Sequence, residues 1–345
     1  MTEILNAHGS RNDIFVIALR PGDFTSDTDL RAFVRNLCDR AGPFGGDGVY
    51  FYDAAGPVPE AWFFNPDGSA AEFCGNGMRC LGRVILDQRG ADAAEIRSGG
   101  REYTVRRGPA TPEGVRQVRL EHPAVDFDPQ TPVVAGRSPA VQASLPELDP
   151  ALAFTAVAVP NPHLVAVVEK YVESDLVAMG EQVAARHETF PAGANLSLLL
   201  PFESAEVFVR TYERGAGLTA SCGSGMAAAR AVYSRIGRAD PERDVLIRNA
   251  GGMATASLRV RGGRWFPVLE GNATFVYRAD VDPAALSSGA TASGATASGA
   301  TASGATASGA TADREPFHGE IRAYSALADE NSARLRSAGI ETQIT

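Results

Sequence analysis

The sequence predicts an α/β fold built as two similar halves. Three observations predict it. One pentapeptide pattern, Cys-Gly-x-Gly-Met, occurs twice, as Cys74-Gly75-Asn76-Gly77-Met78 and Cys222-Gly223-Ser224-Gly225-Met226. Each copy opens an apolar run, Met78, Leu81, Ile85 in one and Met226, Ala229, Tyr233, Ile236 in the other, with the spacing of a single buried helix face. Runs with strand character precede and follow each helix. The 345 residues, 44% of them apolar, suffice for two domains with real cores.

The elements follow in order. His8-Gly9-Ser10-Arg11-Asn12-Asp13 reads as a loop, and Ile14 to Leu19 as a buried strand. Residues 28–40 read as a helix, with Leu30, Phe33, Val34 and Leu37 on one side. Gly45-Gly46-Asp47-Gly48 turns into a strand from Val49 to Tyr52. The strand Ala61 to Phe64 ends at Asn65-Pro66-Asp67-Gly68-Ser69, which is turn chemistry. The first cysteine helix comes next. Around residues 95–97, 103–105 and 117–120 the chain alternates as strands, and the proline-rich stretch 128–150 reads as a crossing between halves. Phe154 to Val159 is a strand leading into Asn161-Pro162-His163 and a second strand, Leu164 to Val168. Residues 174–187 read as a helix. Strands at 195–200 and 206–212 feed Glu213-Arg214-Gly215-Ala216-Gly217 and the second cysteine helix, which Gly237 is placed to stop. Strands near 245–277 close the half.

The domain division expected from this pass is 1–127, a crossing at 128–150, and 151–284. From Ser288 to Ala312 the chain repeats Ser-Gly-Ala-Thr-Ala five times. Small residues without an apolar period build no core, so 285–312 is expected to be a flexible linker. The polar stretch 313–345 carries Ile321, Tyr324, Leu327 and Leu335 at amphipathic spacing. It is expected to be an appendage isolated by the repeat, with a partner-binding peptide as the lesser alternative.

Net charge is −9, which argues against nucleic acid and anionic membrane surfaces as partners. No apolar run is long enough for a transmembrane helix, and the opening Met-Thr-Glu-Ile-Leu-Asn lacks the pattern of a signal peptide. Four cysteines, Cys38, Cys74, Cys80 and Cys222, do not make a disulfide scaffold, so a reducing cytoplasm is expected. The spacing of Cys74 and Cys80 matches no usual zinc pair, and no metal is expected.

The two cysteines carry the chemistry. A cysteine at a helix N-terminus sits beside amides that lack internal partners and carry partial positive charge. Such amides bind carboxylates, and the same field lowers a thiol from about 8.5 towards roughly 3.5–7.5 in favourable cases. Two such sites suit inversion of a stereocentre: one thiolate removes a proton from carbon, and the other, as a thiol, returns one to the opposite face. Cys38 and Cys80 read as core.

Further segments occur in order: His8-Gly9 with Asn12-Asp13, Asn65-x-Asp67-Gly68-Ser69, Cys74-Gly75-Asn76-Gly77-x-Arg79-Cys80, Asn161-Pro162-His163, Asn195, Glu213-Arg214-Gly215 and Cys222-Gly223-x-Gly225. Over roughly residues 3–280 the chain resembles the diaminopimelate epimerase family. The resemblance implies two pseudo-symmetric α/β halves, each a curved, mostly antiparallel sheet wrapped around a central helix, with the active site between them. It implies a cofactor-free isomerase with Cys74 and Cys222 as base and acid. Gly75, Asn76, Gly223 and Ser224 would hold the reacting carboxylate. Asn12, Asn65, Asn161, Asn195, Glu213 and Arg214 would grip the amino acid, with Arg214 on a distal carboxylate and Glu213 on a distal ammonium. The implied partner is an amino-acid substrate, a diaminodicarboxylic acid rather than a small amino acid, with a homodimer left open. His163 reads as a structural, hydrogen-bonded histidine.

Ser10-Arg11 stands where the family usually has an apolar residue and glycine. Pro43-Phe44-Gly45-Gly46 departs from its glycine-rich pattern, and Pro66 and Met78 replace what is more often alanine. These departures bear on substrate choice. They keep a second reading open, a racemase of another amino acid such as histidine or a basic residue. A third is a non-catalytic redox-sensing or binding protein in which Cys74 and Cys222 pair.

Overall fold

Pairing of the strands shows one order of elements used twice. The structure, a computed structural model, describes residues 1–203, 205–289 and 314–342. Its described residues divide into two compact units: Met1–Gly9, Asp13–Glu102 and Ala273–Arg322 in the first, Ser10–Asn12, Tyr103–Asn272 and Ala323 onward in the second.

In the first unit, strand Thr2–Gly9 pairs with Asn12–Ile17 and with Thr274–Val281. After helix α1 (Asp27–Cys38), strand Gly48–Asp53 lies parallel to Asn12–Ile17 and antiparallel to Glu60–Phe64. The last of these pairs with the short Ala70–Ala71 and, after helix α2 (Gly75–Arg89), with Ala93–Ser98 in parallel.

The second unit repeats this order. The hairpin Asp149–Val159 with Asn161–Val167 precedes helix α3 (Glu173–Ala185). Strand Asn195–Glu203 is then parallel to Asn161–Val167 and antiparallel to Glu206–Glu213. Glu206–Glu213 pairs with the short Gly217–Leu218 and, after helix α4 (Gly223–Arg235), with Val245–Asn249 in parallel. Gly252–Arg261 and Arg264–Asn272 extend the sheet to Gln117–Glu121, which places residues 103–121 with this unit.

Each cysteine helix is buried around its circumference. Every residue of α2 from Gly75 to Leu86 is buried, as is α4 except at Ser224 and Arg235. A helix buried on all faces must be surrounded. For α4, six strands do this, two from each successive pair along 149–167, 195–213 and 252–272. The second helix stops where expected, at Gly237, and the first stops at Gly90; both glycines adopt left-handed φ, 77° and 59°. In each case the next amide bonds back to the last turn, Ala91 to Leu86 and Arg238 to Tyr233.

Residues 103–121, expected in the first half, thus fall in the second unit, and two further expectations change. The segment 8–13, read as a loop, is a tight hairpin whose two turn residues, Ser10 and Arg11, have φ of 55° and 62°. This is the geometry of a two-residue turn that usually calls for Asn-Gly, so Ser-Arg did not signal it. The Asn272 Oδ1 accepts the Ser10 N–H at 2.7 Å and holds the turn.

The tail is not an isolated appendage. Glu315–Pro316 pairs with Thr274–Val281, and α6 (His318–Ser337) is docked, following the short α5 (Pro283–Ser287). In the first unit, Glu320 forms two 2.6 Å bonds to Arg83 and accepts the Phe275 N–H at 2.9 Å. In the second, Tyr324, Leu327 and Ala328 pack with Val115, while Leu335 and Ile340 join the core around α3. The linker expected at 285–312 lies, from residue 290 on, outside the described residues.

Candidate active site

Cys74 and Cys222 are the N-cap residues of α2 and α4, as expected from the sequence. Their backbones are nearly alike, φ −132° and ψ 114° at Cys74 against −111° and 111° at Cys222. In each, Sγ accepts the amide of the third residue on, Gly77 at 3.5 Å and Gly225 at 3.3 Å. The thiol thus takes the place that a serine or aspartate oxygen holds in an ordinary cap. Glycine is required at both donors by close approach. A Cβ on Gly77 would lie 2.8 Å from the Tyr50 ring, and one on Gly225 would lie 2.4 Å from Thr211 Oγ1. Tyr50 also secures the first turn, since its hydroxyl accepts the Cys74 N–H at 3.0 Å.

Cys222 departs from the expected depressed thiol. It is buried, and its pKa is pushed well above the ordinary value by that burial and by the Glu213 carboxylate. Ser224 Oγ, 3.6 Å from Sγ, and the Gly225 amide work the other way and are outweighed. A helix N-terminus offers partial charges, whereas a dehydrated site beside a carboxyl group favours the neutral thiol. Burial and Glu213 thus favour the neutral S–H form of Cys222, which is bonded to Glu213. Glu213 is itself raised by burial, against bonds from Thr219 and Cys222 that lower it. Cys38 and Cys80 are core, as expected, and burial pushes both thiols up to about 12.

The remaining site residues fall at matching places in the two repeats. Asn12 and Asn161 begin the second strands of the two hairpins. Asn65 and Arg214 directly follow the matching strands Glu60–Phe64 and Glu206–Glu213. Asn65, expected to grip the substrate, starts the turn 65–69 and donates Nδ2–H to Ser69 Oγ at 3.0 Å. Asp67 caps that turn, and its bonds from Ser69 lower its pKa. Asn76 is buried, with Oδ1 accepting from Arg79 at 2.9 Å. Gly75 and Gly223 are the first residues of their helices and are buried.

The structure brings Asn161, Asn195 and Arg214 together around His163. His163 Nε2 lies 3.1 Å from Asn161 Oδ1 and 3.4 Å from Asn195 Nδ2. Asn195 Oδ1 accepts the Arg214 backbone N–H at 2.8 Å. His163 is fully buried, and that burial, with help from Arg214 and His122, lowers its pKa to about 3. It is a neutral ring whose Nε2 either donates to Asn161 Oδ1 or accepts from Asn195 Nδ2, depending on the tautomer. Glu213 meets Thr219 and Cys222, while the Arg214 guanidinium bonds Ala192 O. The Glu213–Cys222 contact is what sequence reasoning missed, because nine positions and a turn separate them.

A cavity of about 490 Å³ opens elsewhere in the second unit, lined by residues such as Asp149, Lys170, Asp175 and Met179. It holds none of these groups, so size alone does not mark the site. Among the described residues, no group of three His, Cys, Asp or Glu side chains is placed to hold a metal ion. No helix among them is long and apolar enough to cross a membrane.

Residues 4–107 and 155–276 match the family model described as diaminopimelate epimerase. The chain is 32% identical over 284 residues to the diaminopimelate epimerase of Clostridium acetobutylicum, covering 81% of this chain and 85% of that protein. It is 32% identical over 304 residues to that of Ligilactobacillus salivarius, covering 83% and 92%. Among solved structures it resembles a Bacillus anthracis phenazine biosynthesis protein of the PhzF family, with TM-score 0.60, 14% identity, and 81% and 99% covered. It also resembles a probable proline racemase from Agrobacterium radiobacter K84 with bound carbonate, with TM-score 0.56, 14% identity, and 82% and 93% covered. At such identity the structural likeness speaks for the fold alone.

Proposed function

The chain belongs to the diaminopimelate epimerase family and is an isomerase, and on that premise we propose that it converts LL-diaminopimelate to the meso form with Cys74 and Cys222 as its acid and base. The observation that carries this reading is the duplicated cap, a sulfur bonded to the third amide at the start of each of two buried helices.

The proposed step balances without an outside reactant. One cysteine, as thiolate, takes the α-proton, and the electron pair left on carbon spreads into the neighbouring carboxylate. The amides of Gly75 and Asn76, and of Gly223 and Ser224, stabilise that charge at the helix N-termini. The other thiol gives its proton to the opposite face, so one S–H is lost and one is formed. Because burial and Glu213 favour the protonated form of Cys222, we assign Cys222 as the acid and Cys74 as the base. In the reverse direction Glu213, its own pKa raised, takes part in moving the Cys222 proton. At the distal centre, Arg214 pairs with a carboxylate, and Asn12, Asn65, Asn161 and Asn195 supply fixed amides. Such a site rejects an analogue that leaves its polar groups unpaired.

Incubation with LL-diaminopimelate in heavy water tests the proposal. Meso product carrying deuterium at the inverted carbon is expected; absence of both product and α-deuterium removes it. The Ser10–Arg11 turn, with a cation beside Asn12, favours one second reading, a racemase of another amino acid by the same two thiols. α-Proton exchange on a substrate panel, with no turnover of diaminopimelate, would select it.

A further inference from the structure

The family match ends at residue 276, yet α6 is bound to the turn that supports Cys222. That turn, Asn249 to Met253, lies between two parts of the candidate site. The Gly251 N–H donates to Ala220 O at 2.8 Å, two residues before Cys222. A Cβ on Gly251 would sit 2.1 Å from Ser10 O and 3.1 Å from the Ala220 Cβ, so the turn is packed directly against both segments. Ser10 in turn precedes Asn12 by two residues. From within, Asn249 Nδ2 points at Met226 Sδ, 3.2 Å away, in the first turns of α4.

Helix α6 holds this turn by its backbone. The Tyr324 hydroxyl donates to Gly251 O, and Asn331 Nδ2 donates to Asn249 O at 3.0 Å. Both side chains are buried. Gly252 leaves room for the hydroxyl, since a Cβ there would lie 2.7 Å from it. Arg248 fixes Asn331 by donating to its Oδ1 at 3.2 Å, while Arg248 and Arg334 share the Glu206 carboxylate. A buried carbonyl that lost its donor would pull the turn towards other partners.

We infer that Tyr324 and Asn331 are positioning residues for the Cys222 turn, so that the C-terminal helix is part of the machinery of the second repeat. They act through Gly251 and Asn249 on Ala220, Met226 and Ser10. The catalytic consequence rests on the two-thiol reading above; the placement of the turn does not.

The test uses the full chain and its Tyr324→Phe variant, which deletes one hydroxyl, with Asn331→Asp as a second variant that keeps the acceptor for Arg248 and loses the donor to Asn249. Alkylation of each of the four cysteines by iodoacetamide is followed by mass spectrometry, alongside kcat and KM. Tyr324→Phe is expected to speed alkylation of Cys222 by about tenfold, the size of one buried hydrogen bond, with Cys38, Cys74 and Cys80 unchanged. kcat is expected to fall by a similar factor, more than KM changes. An unchanged Cys222 rate in both variants overturns the inference. So does an equal rise at all four thiols, which is general loosening. Selective reactivity of Cys222 in a chain that inverts no diaminopimelate would uphold the positioning and sink the proposed substrate instead.

Discussion

Replacement of Glu320 by alanine is expected to weaken the first unit by about 2–3 kcal/mol. Arg83 and Glu320 meet through two parallel 2.6 Å bonds, with the arginine side chain 7% exposed and the carboxylate 25%. Removing one partner of a buried pair costs roughly 3–5 kcal/mol, because the other is left uncompensated. The lower figure applies here for two reasons. Glu320 is partly solvated, and Arg83 retains Ala273 O at 2.7 Å and the Phe275 ring 3.8 Å from its guanidinium carbon. The loss also strips the Phe275 N–H of its acceptor. The assay is urea denaturation of the full chain, run as a double-mutant cycle with Arg83→Met. A coupling of about 1.5–2 kcal/mol is expected for a bidentate, charge-assisted pair. A coupling below about 0.5 kcal/mol would place the pair with solvated surface bridges and refute the docking argument.

Two further outcomes follow from the site. Cys74→Ala and Cys222→Ala should each abolish inversion in a chiral assay while one enantiomer still exchanges its α-proton; normal turnover in either variant contradicts the pairing. For His163, the folded pKa of about 3 lies below the unfolded value, so the unfolded chain binds a proton that the folded chain refuses. Stability should therefore be complete above about pH 6.5 and decline as pH falls towards 3, and His163→Gln should flatten that decline in a denaturation series. A slope unchanged by the substitution would show that another group titrates.

Much of this was legible because it is local. The capping cysteines, the glycines behind them and the apolar spacing of Leu81 and Ile85, or of Ala229 and Tyr233, all lie within a few residues of one another. Helix starts and buried strands such as Val49 to Tyr52 depend on just such short-range periodicity. The hairpin at Ser10–Arg11 was hidden because what stabilises its left-handed turn is Asn272, 262 positions away. The tail was misread for the same reason. Its polar residues look solvated until Arg83, Arg248 and Glu206 are brought to Glu320, Asn331 and Arg334.

The chain's residues alone determined which sulfurs begin the two helices and that the two repeats share one order of elements. Only tertiary structure decided the direction in which the Cys222 thiol is shifted, since the surrounding strands remove its water and deliver Glu213 to it. Local sequence sets partial charges and hydrogen-bond geometry within a turn. Burial and a carboxyl group brought from elsewhere in the fold act over the same few ångströms with larger energies, and they prevail.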